Sequence, residues 1–185
     1  PGLIEGHAHM MAGIIWNFFY AGFHDRMDPQ GKWWKGKPDL ATVVADLKDI
    51  EKTLPEGAPL VGWGLDPIFF TGERLSKKHL DAISTTRPVV IMYANFHLMG
   101  VNSKALEMVG YDRHTNAEGV VKGADGTPTG ELQEMAAMFP LMRRCGIDFR
   151  QMTKTEDAIR TYAEVCRRTG VTTATDLYAQ LEDED

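Results

Sequence analysis

The sequence predicts an α/β protein, and three observations carry that prediction. The run Pro88-Val89-Val90-Ile91-Met92-Tyr93-Ala94 is apolar throughout, as a strand central in its sheet must be when both of its faces are covered. Asp39 opens a helix whose Leu40, Val43, Val44, Leu47, Ile50 and Leu54 share one face, and Pro55-Glu56-Gly57 stops it. Towards the end, Ile159, Tyr162, Ala163 and Cys166 stripe a long helix that closes at Gly170 and feeds the β-branched strand 171–175.

Composition narrows the class. A chain of 185 residues suits a domain of ordinary size, and 43% hydrophobic with 25% charged residues is the balance of a soluble globular protein. The net charge is −6, Glu182-Asp183-Glu184-Asp185 closes the chain, and no basic run is present, so nucleic acid is not an expected partner. The apolar run from Met10 to Phe23 contains Gly13, Asn17 and Gly22 and falls short of the roughly 20 residues a membrane span needs. No basic segment precedes it to make a secretory signal. Cys145 and Cys166 form no C-x-x-C and have no histidine nearby. They read as structural thiols of a reducing, cytoplasmic compartment.

Taken in order, the chain opens with Leu3 and Ile4 as the end of a buried strand, broken at Gly6. Ile14, Ile15, Phe18 and Phe19 fit one face of a short apolar helix. His24-Asp25-Arg26, Pro29, Gly31 and Trp33-Trp34 then read as a loop, either a hydrophobic flap packed on the body or a lid lining a substrate pocket. Leu60-Val61-Gly62-Trp63-Gly64 is a short strand, and Ser76 begins a small helix with Leu80 facing inward. Asn102-Ser103 caps a helix from Lys104 to Val109. Val120-Val121 and Thr129–Leu132 flank Asp125-Gly126, a hairpin signature. A helix from Gln133 to Arg144 is expected to break or kink at Pro140. Thr153-Lys154-Thr155-Glu156 reads as a capping box for the last helix.

The chemistry centres on His7 and His9. Spaced two apart on an extended backbone, their imidazoles project from the same side, so one strand can offer two nitrogen ligands to one metal ion. The remaining ligands must then come from elsewhere. The whole stretch Pro1-Gly2-Leu3-Ile4-Glu5-Gly6-His7-Ala8-His9-Met10 resembles the first-strand metal motif of the amidohydrolase superfamily, metal-dependent hydrolases built on TIM barrels. Further motifs narrow the resemblance: Gly62-Trp63-Gly64-Leu65-Asp66, Leu80-Asp81-Ala82-Ile83-Ser84, His97-Leu98-Met99-Gly100-Val101-Asn102-Ser103-Lys104-Ala105-Leu106 and Asp125-Gly126-Thr127-Pro128-Thr129-Gly130-Glu131-Leu132. In order and spacing they are similar to the YtcJ-type amidohydrolases (the amidohydrolase 3 group), which include N-substituted formamide deformylases. Residues 11–38 depart from that pattern, being longer and more aromatic.

The resemblance implies a fold and a site. The fold is α/β: the first two strands of a TIM barrel, at the motif and at 171–175, with a large mixed α/β subdomain inserted between them. The span between these strands far exceeds the roughly 30 residues of one barrel unit. The implied division is 1–38 for the first barrel strand and apolar flap, 39–130 for the inserted subdomain, and 131–185 for the return to the barrel. His7 and His9 carry over as metal ligands of a divalent ion, zinc or similar. The catalytic base and further ligands of such enzymes belong to strands beyond this chain, so it reads as the N-terminal portion of a longer enzyme.

The implied function is hydrolysis of an amide or related C–N bond in a small-molecule substrate, through metal-activated water attacking a carbonyl. Substrate-side candidates are His97, Trp63, Glu134 and Asp176. His97 could equally be a histidine tucked under a helix cap, Trp63 a core ring, and Glu134 a solvated helix residue. Asp176 ends strand 171–175, at the edge where barrel sites assemble. His24, His79 and His114 have no partners at ligand spacing and are expected to be exposed. The chain alone is expected to be inactive and to bury its open barrel face by self-association or rearranged ends. The rival class is a non-catalytic binding or scaffolding module that keeps the inserted subdomain.

Overall fold

The structure, a computed structural model, describes residues 2–177. Pro1 and the acidic close of the chain lie outside the described residues. The first half runs β1 (Leu3–Ala8), α1 (Met11–Ile14) with a 3-10 turn over Ile15–Asn17, β2 (Phe19–Tyr20), β3 (Arg26–Met27), β4 (Trp33–Trp34), α2 (Leu40–Glu51), β5 (Leu60–Leu65), and α3 (Lys77–Asp81). The second half runs β6 (Val89–Tyr93), β7 (Leu98–Val101), α4 (Ser103–Val109), β8 (Val120–Lys122), β9 (Pro128–Gln133), α5 (Glu134–Arg144), α6 (Phe149–Thr153), α7 (Glu156–Thr169) and β10 (Val171–Asp176). No helix among the described residues is long and apolar enough to cross a membrane. The chain divides into two compact units, one of residues 2–17, 27–33 and 148–177, the other of 18–26 and 34–147.

The larger unit is built on a six-stranded mixed sheet in the order β2-β5-β6-β7-β9-β8. β2, β5 and β6 run parallel, while β7, β9 and β8 pair antiparallel. β6 is central as its apolar run requires: every residue from Val89 to Tyr93 is at most 1% exposed. The Asp39 carboxylate accepts from the Thr42 N–H and starts α2, which presents Val43 and Leu47 to the core at 0% and 1% exposure. Each such side chain contributes about 1.5–3 kcal/mol of burial. Leu60, Leu65, Leu80, Val89 and Ile91 complete that core. At Gly130, φ is +97° and a Cβ would stand 2.5 Å from the Val101 carbonyl oxygen and 2.7 Å from the Lys77 nitrogen. Only glycine lets β9 run this close to β7 and α3.

The Asn102 side chain ties this sheet to its helices. Its Oδ1 accepts from the backbone N–H groups of Val89 and Ala105 at 3.1 and 2.9 Å. Its Nδ2 donates to the carbonyls of Ser84 and Arg87 at 2.7 and 2.9 Å. The residue read from sequence as a helix cap is therefore also a buried four-way junction.

In the smaller unit β1 and β10 pair in parallel, with Leu3 opposite Val171 and Ala8 opposite Asp176. α1 approaches α7 so closely that a Cβ on Gly13 would lie 2.7 Å from the Ala158 carbonyl oxygen.

Several local expectations are corrected. Leu3 and Ile4, expected buried, are 63% and 78% exposed at the start of a sheet of only two strands among the described residues, where few neighbours are available to cover them. The apolar helix after β1 stops earlier than its pattern suggests, and Phe19 joins the large sheet as β2. α5 is not broken at Pro140; the carbonyl deprived of its partner belongs to Ala136, an exposed residue. The cap of α7 is Thr155, whose Oγ1 accepts from the Ala158 N–H, two residues past the expected Thr153. His79 is half-buried rather than exposed: its Nδ1 accepts from the Ser76 N–H at the start of α3, and Nε2 lies 3.3 Å from Glu73.

Candidate functional site

His7 near the end of β1 and His9 just after it meet at the carboxyl end of the strand. The His7 and His9 rings meet edge to face with centroids 5.1 Å apart. The parallel register sets Asp176, the last residue of β10, beside them. One oxygen of Asp176 lies 3.2 Å from His9 Nδ1, and the other accepts from the Met10 N–H at 3.1 Å. The Glu5 side chain folds back to accept from the His7 N–H at 3.0 Å. Tyr162 of α7 belongs to this neighbourhood and was legible in sequence only as a core stripe. Burial, a hydrogen bond with Cys166, and the negative charges of Asp176 and Glu5 push its phenol up to about 12.

The donor chemistry here suits a divalent ion of the zinc type, which takes imidazole nitrogens and carboxylate oxygens. Among the described residues no three His, Cys, Asp or Glu side chains gather closely enough to hold an ion by themselves. His7 and His9 by themselves offer two imidazole nitrogens, a donor type that suits such an ion.

A second polar pair lies in the larger unit, where β7 begins and β9 gives way to α5. His97 Nδ1 is 2.9 Å from a Glu134 carboxylate oxygen, and both side chains are about two-thirds exposed, at 68% and 69%. The Asn95 side chain accepts from the His97 N–H at 3.0 Å. Phe96 and Glu134 hold left-handed backbone conformations, φ +58° and +61°, a region non-glycine residues seldom enter. Strain of this kind, on the order of 1–3 kcal/mol per residue, persists where the surroundings over-determine it, commonly at working sites.

Trp63 lies inside the same unit at 5% exposure, its ring 5.2 Å from Tyr20 and 6.0 Å beneath the Arg26 guanidinium. Trp33 of the aromatic loop is 62% exposed. On β9, Glu131 is buried and held by Arg74, at 2.5 Å from Nε, and by Gln133. This network has no sequence signature of its own. Burial pushes the Cys145 thiol up to about 11, so it stays protonated near neutral pH and is a poor nucleophile.

The fold is thus a mixed α/β one similar to solved metal-dependent hydrolases. Two crystal structures carry that description: an uncharacterized metal-dependent hydrolase from Pyrococcus horikoshii (TM-score 0.53, 19% identity, 94% of this chain and 30% of that one) and one from Pyrococcus furiosus (TM-score 0.50, 16% identity, 94% and 31%). The sequence profile of the Amidohydrolase family matches residues 1–185, and the chain belongs to that family. Among relatives, Protein LONG AFTER FAR-RED 3 of Arabidopsis thaliana is 26% identical over 96% of this chain and 28% of its own length. YtcJ of Bacillus subtilis, whose name carries the word amidohydrolase, is 35% identical over 51% of this chain and 19% of its own. The chain spans less than a third of the length of each of these proteins.

Proposed function

We propose that this chain carries part of the active site of a metal-dependent hydrolase acting on amides or related C–N bonds of small molecules. The observation that supports it most directly is the meeting of His7 and His9 at the end of β1, with an Asp176 oxygen 3.2 Å from His9 Nδ1. Family membership and the likeness to structures described as metal-dependent hydrolases lend it further support.

In this reading His7 and His9 hold a divalent metal, zinc by preference, through imidazole nitrogens. A bound divalent ion supplies Lewis acidity, polarising a carbonyl and making water a competent nucleophile near neutral pH. The residues of this chain bind and orient. His97 and Glu134 form a preset, exposed pair that meets the polar part of a substrate, Trp63 braces that unit from within, and Asp176 closes the histidine end. The general base comes from residues outside this chain. The division into a first barrel segment (1–38), an inserted subdomain (39–130) and a return to the barrel (131–185) belongs to the same proposal, as does a cytoplasmic setting.

The test is metal content and amide turnover. His7→Ala and His9→Ala in the full-length protein should each lower bound zinc and abolish hydrolysis of an N-substituted formamide or a simple acyl amide. Normal zinc and full turnover in the double variant would remove the assignment. The 185-residue chain alone should show no turnover and only chelator-labile zinc. A second reading, a binding or scaffolding module without chemistry, is favoured by the separate core of the larger unit. Absence of turnover in the full-length protein with metal bound would select it.

A further inference from the structure

We infer that Asp176 is a positioning residue for His9, setting which of its ring nitrogens faces a metal. This rests on the reading of His9 as a ligand. Asp176 was expected, from its place at a strand end, to face substrate. Its carboxylate instead turns across to the neighbouring strand and is engaged at both oxygens: one lies 3.2 Å from His9 Nδ1 and the other accepts from the Met10 N–H at 3.1 Å. Its side chain is 17% exposed and that of His9 37%, so the contact is partly shielded from water.

The chemistry of the contact fixes its direction. An ionised carboxylate only accepts hydrogen bonds, so His9 must present a proton on Nδ1. A neutral imidazole protonated at Nδ1 carries its lone pair on Nε2. Asp176 thereby selects Nε2 as the donor nitrogen of His9 and restrains the rotation of the ring. The Met10 N–H holds the second oxygen, so the carboxylate cannot swing freely about its own bond. His7 is held differently: Glu5 engages its backbone N–H, and its ring rests edge to face with that of His9. Carboxylates that orient a ligating histidine in this way raise its basicity and sharpen its aim, and their loss costs about 10- to 100-fold in metal affinity.

The experiment uses the full-length protein, metal-free and with Co2+ as probe. Nitrogen-15 NMR of the histidine side chains, recorded well above the ordinary imidazole pKa of about 6.5, reports the tautomer of His9 directly. The wild type should hold the Nδ1–H form, and Asp176→Ala should move His9 towards the Nε2–H form. Co2+ affinity is then measured in the wild type, Asp176→Ala, His9→Ala and the double variant. Asp176→Ala should weaken Co2+ about 10- to 100-fold when His9 is present and by no more than about threefold when it is absent. If Asp176→Ala does not fold, Asp176→Asn takes its place. Its single oxygen can serve His9 or Met10 but not both, so the same shifts are expected at smaller size. An unchanged tautomer overturns the inference, as does an equal loss of Co2+ affinity with and without His9, which would make Asp176 a ligand itself. If His7→Ala and His9→Ala leave Co2+ binding untouched, the metal reading fails instead, and the tautomer measurement still judges Asp176.

Discussion

Glu134 holds His97 twice: its backbone N–H donates to the His97 carbonyl oxygen at 2.8 Å, and its carboxylate lies 2.9 Å from the imidazole Nδ1. The chain turns sharply out of β9 at this point, with Glu134 at φ +61°. An exposed carboxylate–imidazole contact of this kind stabilises little, so it does not maintain the strained corner.

Replacing Glu134 separates these effects. Glycine enters the left-handed region without a Cβ penalty, whereas alanine incurs about 1–2 kcal/mol there. Glu134→Gly should therefore be more stable than Glu134→Ala by about 1 kcal/mol, after allowing for the greater chain entropy glycine loses on folding. Urea unfolding of both variants checks this. Equal stabilities would mean that the chain leaves the left-handed region once the carboxylate is gone.

Asn102 is the opposite case, a polar residue whose value is structural. Asn102→Ala removes the cap of α4 and leaves four backbone groups, those of Val89, Ala105, Ser84 and Arg87, without their side-chain partner. A lost cap costs about 1 kcal/mol and each stranded buried group about 1–3 kcal/mol before relaxation. With partial relaxation the loss should reach about 3 kcal/mol by chemical denaturation. A loss below about 1 kcal/mol would show that water or neighbouring residues replace the amide.

The two kinds of residue differ in how legible they were. Val89–Tyr93 and the inward face of α2 follow from hydrophobic patterning, because burial on both faces or on one face at helical period leaves a trace in the sequence. Asn102 was readable as a cap, a local role, but not as a junction, because Ser84 and Arg87 approach it only through the fold. His9 and Asp176 were both singled out, yet their partnership spans 167 positions and depends on the register of β1 with β10. The same holds for His97 and Glu134, 37 positions apart. Their meeting requires left-handed turns at a phenylalanine and a glutamate, residues that give no local signal for that conformation. The exposure of Leu3 and Ile4 was unreadable for another reason: apolar residues announce burial whether or not the covering layer is at hand.

Acid should loosen α7 through Glu164. Its hydrogen bonds to Arg167 and Arg168 hold the carboxyl down at about 2, below its ordinary 4.5. A carboxyl whose folded pKa is depressed contributes stability that is present above the unfolded value and lost as pH falls through the folded one. The window is therefore pH 4.5 down to 2. Glu164→Gln should lie below the wild type in urea midpoint at pH 7, and the gap should narrow across that window. A gap that stays constant with pH would assign the effect to packing and not to ionisation.

Tyr93 offers a stabilising change. Its ring is 1% exposed at the end of β6, and its hydroxyl has no hydrogen-bond partner among the described residues. Burial, together with the negative charge of Glu131, raises its pKa, so the group stays neutral and buried. A buried hydroxyl without a partner forfeits its bonds to water and receives nothing in return, a penalty of about 1–3 kcal/mol. Phenylalanine keeps the ring, its contacts in the core and its β propensity, and removes only the oxygen. Tyr93→Phe should thus raise stability by about 1 kcal/mol, the small void left by the oxygen offsetting part of the gain. The measurement is the urea midpoint at an unchanged slope. A midpoint that falls would mean that the hydroxyl is bonded in solution, with the buried Glu131 carboxylate the group to examine by a Tyr93→Phe/Glu131→Gln double-mutant cycle.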